Sequence, residues 1–344
     1  MIHIKREGVI LEATNFEFEN ESVMNPAVIV AGGKIHMFYR AVRVGNMSSI
    51  GYCRLENPLK VVYRKKEPIL FPEFEYEKHG MEDPRIVKLE DTYYMTYTAY
   101  DGDNAVGALV TSKDLKHFTR AGIITSQVTY PQFIEWLAND KHPHTYKYFR
   151  LYNQRQSRTQ TGKQLYLMDK DLVMFPHKIN GKIFFLHRIR PDIQSVSIDK
   201  IENLTPDFWE KYYSNFNSHI FFKHRYDFES SYIGAGCPPI KVDAGWLMIY
   251  HSVYDTSEGY VYSASAALLN KYNPSIEIAR LPYPLLMPEK DYETQGVVDH
   301  VCFPTGAIIW DDILYIYYGA ADKCIACASV PVRELIDELL NYRK

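Results

Sequence analysis

The chain has 344 residues, 46% of them hydrophobic and 24% charged, with a formal net charge of −3. That length supports one large all-β domain or two ordinary ones, and the near-neutral balance gives no reason to expect nucleic acid or an anionic membrane as partner. Aromatic residues make up 14%, including 28 tyrosines, a residue that suits both strands and the walls of sugar-binding clefts.

In chain order, the opening MIHIKREGVI has no apolar h-region and no cleavage site, and no 18-residue apolar run follows, so a soluble cytoplasmic protein is expected. One phrase then recurs five times: a proline, a short strand, a tight turn, and a second strand that ends in an aromatic or histidine and a polar residue. Its copies are PAVIVAGGKIHMFYR from Pro26, PRIVKLEDTYYMTYT from Pro84, PHKINGKIFFLHR from Pro176, PPIKVDAGWLMIYH from Pro238 and PTGAIIWDDILYIYYG from Pro304. The turns read Gly-Gly, Glu-Asp, Asn-Gly, Asp-Ala-Gly and Asp-Asp; Asn-Gly is the strongest short hairpin signal. Small-residue strands such as SSIGYC, AVGALVTS, VYSASAALL and CIACASV follow most copies. Five sheets of about four strands therefore fill the chain, and their radial arrangement predicts an all-β, five-bladed β-propeller spanning 1–344 as one domain.

Two stretches break the rhythm, at about 127–170 and 201–222; both carry partly helical patterns, with Thr205 a candidate N-cap before Pro206. They are candidates for lids or for contacts between copies in a homo-oligomer. VRELIDELLNY predicts a C-terminal helix. Five cysteines, an odd number without framework spacing, predict free thiols, and the C-x-x-C at Cys324 and Cys327 lacks the partners a metal needs. No cofactor is expected.

Residues at one end of the innermost strands of a propeller converge on the channel mouth. The start of the phrase contributes Asn25, Asp83 and His177; its end contributes Arg40, Thr98, Arg188 and His251, with Asp322 just beyond YYGAAD. One acid among cations and aromatics suits glycoside cleavage, in which an acid protonates the leaving oxygen and polar groups hold sugar hydroxyls.

The segments MEDPRIVKLEDTYYMTYTAYDG, DLVMFPHKINGKIFFLHRIRPDI, IGAGCPPIKVDAGWLMIYHSV and FPTGAIIWDDILYIYYGAAD resemble the signature segments of glycoside hydrolase family 130, from about Asn25 to Asp322. The resemblance implies a five-bladed propeller acting on β-mannosides, with inverting phosphorylases and inverting hydrolases both represented. It implies that Asp83 is the general acid, protonating the glycosidic oxygen through a sugar hydroxyl. It places Asn25, Arg40, His251 and Asp322 against the sugar or the reacting centre, Tyr262 against phosphate, and Arg85 beside the acid in the same motif.

The departures from that pattern bear on the attacking group. Tyr232 and Ser49 stand where cations are common, and Phe175-Pro176-His177-Lys178 replaces a more basic run. Lys178, Arg188 and Arg43 remain. Glu229 and Glu258 lie near the altered positions, so either is a candidate base for water, expected about 6.5–9.5 Å from Asp83. Hydrolysis of a terminal β-linked mannose is the leading expectation. The alternative is phosphorolysis, with inorganic phosphate as co-substrate held by His177, Lys178, Arg188 and Tyr262; a second alternative is an inactive carbohydrate-binding propeller.

Overall fold

The computed structural model describes residues 2–137 and 164–343. Strand β1 (Lys5–Leu11) comes first, and four antiparallel strands then form the first unit: β2 (Ser22–Ala31), β3 (Lys34–Arg43), β4 (Met47–Asn57) and β5 (Lys60–Arg64). The second unit contains β6 (Gly80–Leu89), β7 (Thr92–Tyr100), β8 (Ala105–Ser112) and β9 (Phe118–Ile123), and meets the first through one parallel bridge between Ser48 and Gly80. The third contains β10 (Lys170–Met174), β11 (Ile183–Arg188), β12 (Ile193–Ile198) and β13 (Ile220–Phe222). In the fourth, the first strand is split into β14 (Tyr232–Ala235) and β15 (Ile240–Val242), both paired with β16 (Gly245–Thr256), followed by β17 (Gly259–Leu269) and β18 (Glu277–Arg280). The fifth runs β19 (Cys302–Trp310), β20 (Ile313–Ala320) and β21 (Cys324–Pro331), and β1 supplies its outer strand.

The hairpins form where the turn residues allow them. Gly32-Gly33, Asn180-Gly181 and Asp311-Asp312 all adopt positive φ at both positions, the backbone that matches strand twist in a two-residue hairpin. Five hydrophobic clusters hold the units, and each joins two neighbours. Phe38 and Ile50 of the first unit meet Met95 and Val106 of the second; Leu247 and Ile249 of the fourth meet Leu314 and Ile316 of the fifth. The first strands also touch in order: β19 meets β2, β2 meets β6, β6 meets β10 and β10 meets β14.

A buried clamp recurs in four units, with a glutamate from the turn before the first strand, a tyrosine from the second strand and an arginine from the outermost strand. Glu19 takes Tyr39 Oη at 2.7 Å and Arg64 Nη2 at 2.9 Å, while Glu77 takes Tyr97 and Arg120. Glu229 takes Tyr250 at 2.6 Å and Arg280 at 3.2 Å, and Glu293 takes Tyr318 at 2.7 Å and Arg6 at 3.0 Å. All four carboxylates are inaccessible to solvent. A buried charge is tolerated only when paired and hydrogen-bonded, which each clamp provides.

Helix α1 (Tyr130–Trp136) starts at a Thr129–Gln132 capping box, and α2 (Pro206–Ser214) starts at Thr205, whose hydroxyl accepts from Phe208 N–H. The two pack together through Phe133, Trp136 and Tyr213. Residues 138–163 of the first insertion lie outside the described residues. A short α3 (Asp291–Thr294) and the C-terminal α4 (Val332–Leu340) complete the chain. Among the described residues no helix is long and apolar enough to cross a membrane.

Candidate active site

Four first strands slip at the same end, β19 between Pro304 and Gly306 among them, and three of the slips share a further feature. These three fall between Met24 and Ala27, between Glu82 and Arg85, and between Lys170 and Val173. At each of them stands one residue in the left-handed region: Asn25 (φ 49°), Asp83 (φ 51°) and Asp171 (φ 57°). Asn and Asp reach that region at lower cost than other side-chain-bearing residues, and a bulge is where a strand tolerates Pro26 or Pro84. Bulges re-aim side chains, and these three point into one cavity. Asp322 (φ 50°) joins them from the turn after β20. Gly319 makes room for Asn25, since a Cβ there would stand 2.0 Å from Asn25 Oδ1.

The cavity is about 200 Å³ and its polar contacts fall into two networks. In the first, Asn25 Nδ2 donates to Asp83 Oδ1 at 2.7 Å, and Arg40 reaches Glu82 at 2.8 Å and Asp83 at 3.7 Å. Lys170 Nζ also reaches Glu82, at 3.3 Å. In the second, Arg188 pairs with Asp171 at 2.9 Å, and the Tyr232 and Tyr262 hydroxyls are 2.7 Å apart. The guanidiniums of Arg188 and Arg190 lie 4.7 and 3.8 Å from the centre of the Tyr232 ring. Among the described residues Arg190 pairs with no carboxylate. Phe303, Met168, Val298 and Val301 supply apolar wall.

Burial pushes the Asp322 carboxyl up to about 6, opposed by the positive charge of Arg40 and helped by the negative charges of Asp83 and Glu82. The folded carboxyl thus keeps its proton to higher pH than the ordinary value of 3.8. It favours the native state below about pH 4, and that contribution is lost as pH rises through 6. The difference is on the order of 3 kcal/mol. Asp322→Asn is therefore expected to raise the melting temperature at pH 7.5 and to change it little at pH 4.5. Equal shifts at the two pH values would contradict this assignment.

Of the residues singled out in the sequence, Asn25, Arg40, Asp83, Arg188, Tyr232, Tyr262 and Asp322 line this cavity. Two others stand behind it. Arg85 is buried, with Nε donating to Gly236 O at 2.5 Å and Nη1 to Asp83 O at 2.9 Å, so it fixes the bulge. His251 is sealed beneath Asp171 and Phe303. Burial, together with Arg188, Arg85 and Arg190, holds its imidazole far below the usual range and thus neutral.

The remaining residues lie elsewhere. Lys178 pairs with Glu90 at 2.8 Å and His177 sits against Trp246. The phrase was anchored there on Pro176, whereas the bulge that matches Asn25 and Asp83 is at Asp171, five residues earlier and without a proline. Arg43 is partly exposed beside Glu17, in a separate groove that it shares with Ser49. Glu258 occupies the exposed β16–β17 turn. Glu229 is the fourth unit's clamp, with both oxygens engaged and no face toward solvent. Neither glutamate is placed to activate a water in the cavity.

Asp171, Lys170, Arg190 and Phe303 were not anticipated. Arg190 had a legible signal, because in Arg-Ile-Arg the two arginines are two residues apart and an extended chain turns them to one side.

Comparison with known proteins follows the same lines. Residues 4–341 match the Glyco_hydro_130 family, described as beta-1,4-mannooligosaccharide phosphorylase. The chain is 31% identical to a 1,2-beta-oligomannan phosphorylase of Thermoanaerobacter sp. (strain X514), over 97% of this chain and 99% of the relative. It is also 31% identical to a beta-1,2-mannobiose phosphorylase of that strain, over 96% and 97%. The beta-1,2-mannobiose phosphorylase from Listeria innocua, solved with beta-1,2-mannobiose, superposes with a TM-score of 0.72 at 23% identity, covering 98% and 99% of the two chains. A further neighbour, described among glycoside hydrolases that target beta-1,2 mannosidic linkages in Candida mannan, gives 0.74 at 23% identity over 96% and 94%. At such identities the solved structures speak for the shared fold alone.

Proposed function

This chain belongs to glycoside hydrolase family 130, a glycoside-cleaving enzyme of the mannoside-active class, and from that premise we propose that it is a β-mannoside phosphorylase acting on β-1,2-linked oligomannosides. Phosphate attacks C1 of the terminal mannose from the face opposite the leaving sugar. The C1–O bond breaks, and the proton of Asp83 passes through a sugar hydroxyl to the departing oxygen. Mannose 1-phosphate of inverted configuration and a shortened oligomannoside leave. The five four-stranded units act as the blades of one propeller domain, a reading supported by the consecutive contacts of their first strands and by a hydrophobic cluster at each junction, including that of the fourth unit with the fifth.

The observation that carries phosphorolysis over hydrolysis is the cationic wall of Arg188, Arg190, Tyr232 and Tyr262. The expectation of hydrolysis rested on Tyr232 and Ser49 replacing cations and on Glu229 or Glu258 serving as base. Tyr232 carries no positive charge, but Arg190 stacks on its ring and brings one to the same place. An anionic nucleophile needs such compensation beside carboxylates, whereas water needs a free base, and both candidate bases lie outside the cavity. The relatives matched nearly end to end are phosphorylases by name, which supports the same choice.

Incubation with β-mannosides of defined linkage, with and without phosphate, tests this. Mannose 1-phosphate is expected, from β-1,2-linked substrates, and only with phosphate; free mannose released at the same rate in its absence would overturn the reading. Arg190→Ala is expected to raise the KM for phosphate by about tenfold or more, since a charge-assisted contact is worth roughly 1.5–3 kcal/mol. An unchanged phosphate KM would remove Arg190 from the anion site.

A further inference from the structure

Among the described residues the third unit lacks the glutamate–tyrosine–arginine clamp of the other four, and what stands in its place reaches into an insertion. The residue before Arg188 is His187, in the slot that Tyr39, Tyr97, Tyr250 and Tyr318 fill in their own strands. Its Nδ1 lies 2.8 and 2.9 Å from the two oxygens of Asp169. Its Nε2 is 2.7 Å from the hydroxyl of Tyr212, which also lies 3.1 Å from the Ser195 carbonyl oxygen. Tyr212 belongs to α2, so the partner that other units draw from an outer strand comes here from an inserted helix. His187 and Asp169 are both fully buried.

Asp169 immediately precedes Lys170, and His187 immediately precedes Arg188. Lys170 and Arg188 are cross-strand partners and both line the cavity. Beyond the bulge at Asp171, that single pair is the whole of the β10–β11 ladder at the cavity end. Neighbours along an extended strand point to opposite faces, so the carboxylate–imidazole–phenol chain lies behind the two cations and pins a strand end that the ladder holds weakly. A mobile strand end would spread both cations over several positions, and anion binding depends on their fixed convergence.

We propose that Asp169, His187 and Tyr212 form a positioning relay through which the inserted helix α2 sets the geometry of Lys170 and Arg188, and hence the affinity for phosphate. The inference rests on the phosphorolysis reading.

Tyr212→Phe and Asp169→Ala are expected to weaken phosphate binding, measured by titration calorimetry without mannoside, about tenfold. Asp169→Asn, which keeps an acceptor for the imidazole N–H, is expected to stay within about threefold of the parent. In turnover assays the two damaging variants should raise the phosphate KM and leave kcat at saturating phosphate within about twofold. A merely structural role would lower melting temperature and leave the phosphate constants alone. Parent-like phosphate affinity in folded Tyr212→Phe and Asp169→Ala would overturn the relay and leave the proposed function intact. A parent that binds no phosphate and cleaves mannosides without it would overturn the proposed function. In that case, variants with kcat/KM for mannoside within twofold of the parent would overturn the relay too.

Discussion

Replacing Asp83 by asparagine is expected to lower turnover by about 10² to 10⁴, the usual loss when a positioned general acid is removed, with melting temperature nearly unchanged. The fold has little reason to respond. Asparagine tolerates the positive φ at this bulge, its Oδ1 still accepts from Asn25 Nδ2, and Arg40 retains Glu82. What disappears is the proton for the departing sugar. Wild-type turnover in a clean preparation would show that Asp83 only shapes the bulge. A fall in melting temperature with activity retained per folded molecule would point the same way.

Glu229→Ala should do the reverse. It takes one of two carboxylates from buried Arg280, which keeps Glu277, and removes the acceptor of Tyr250; breaking one side of a buried ion pair costs up to about 3–5 kcal/mol. The expected result is a large drop in denaturant midpoint, with kcat of the folded fraction close to the parent's. Glu258→Ala, in an exposed turn, serves as the control and should change neither. A stable Glu229→Ala protein without activity would return Glu229 to the chemistry and reopen hydrolysis.

The hairpins were legible because their chemistry is local: Gly32-Gly33 and Asn180-Gly181 favour positive φ, and Asp311-Asp312 tolerates it. Much of the cavity followed, since Asn25-Pro26 and Asp83-Pro84 mark bulges in the chain itself. Asp171 was missed for the converse reason. Leu172 follows it where Pro26 and Pro84 follow the other two, and the proline of the repeated phrase, Pro176, stands four residues further on, which moves His177 and Lys178 into the expected site. The clamps were invisible for another reason. Their arginines come from outer strands at irregular distances along the chain, so Glu229 looked like an unassigned acid until Tyr250 and Arg280 were seen around it. Separation of structural from chemical carboxylates required the fold.

Those clamps also bear on the order in which the molecule is completed. In the second and fourth units the paired arginine and glutamate are 43 and 51 residues apart, so each can close soon after its own segment is made. In the fifth, Arg6 and Glu293 are 287 residues apart. Contacts that distant form late, because the intervening chain must first be ordered. Strand β1 therefore leaves the ribosome before the other strands described here and finds its partner, β21, after them. Until β21 arrives, it is an unpaired strand able to join the edge of another chain, which makes the interval before closure the protein's most aggregation-prone stage.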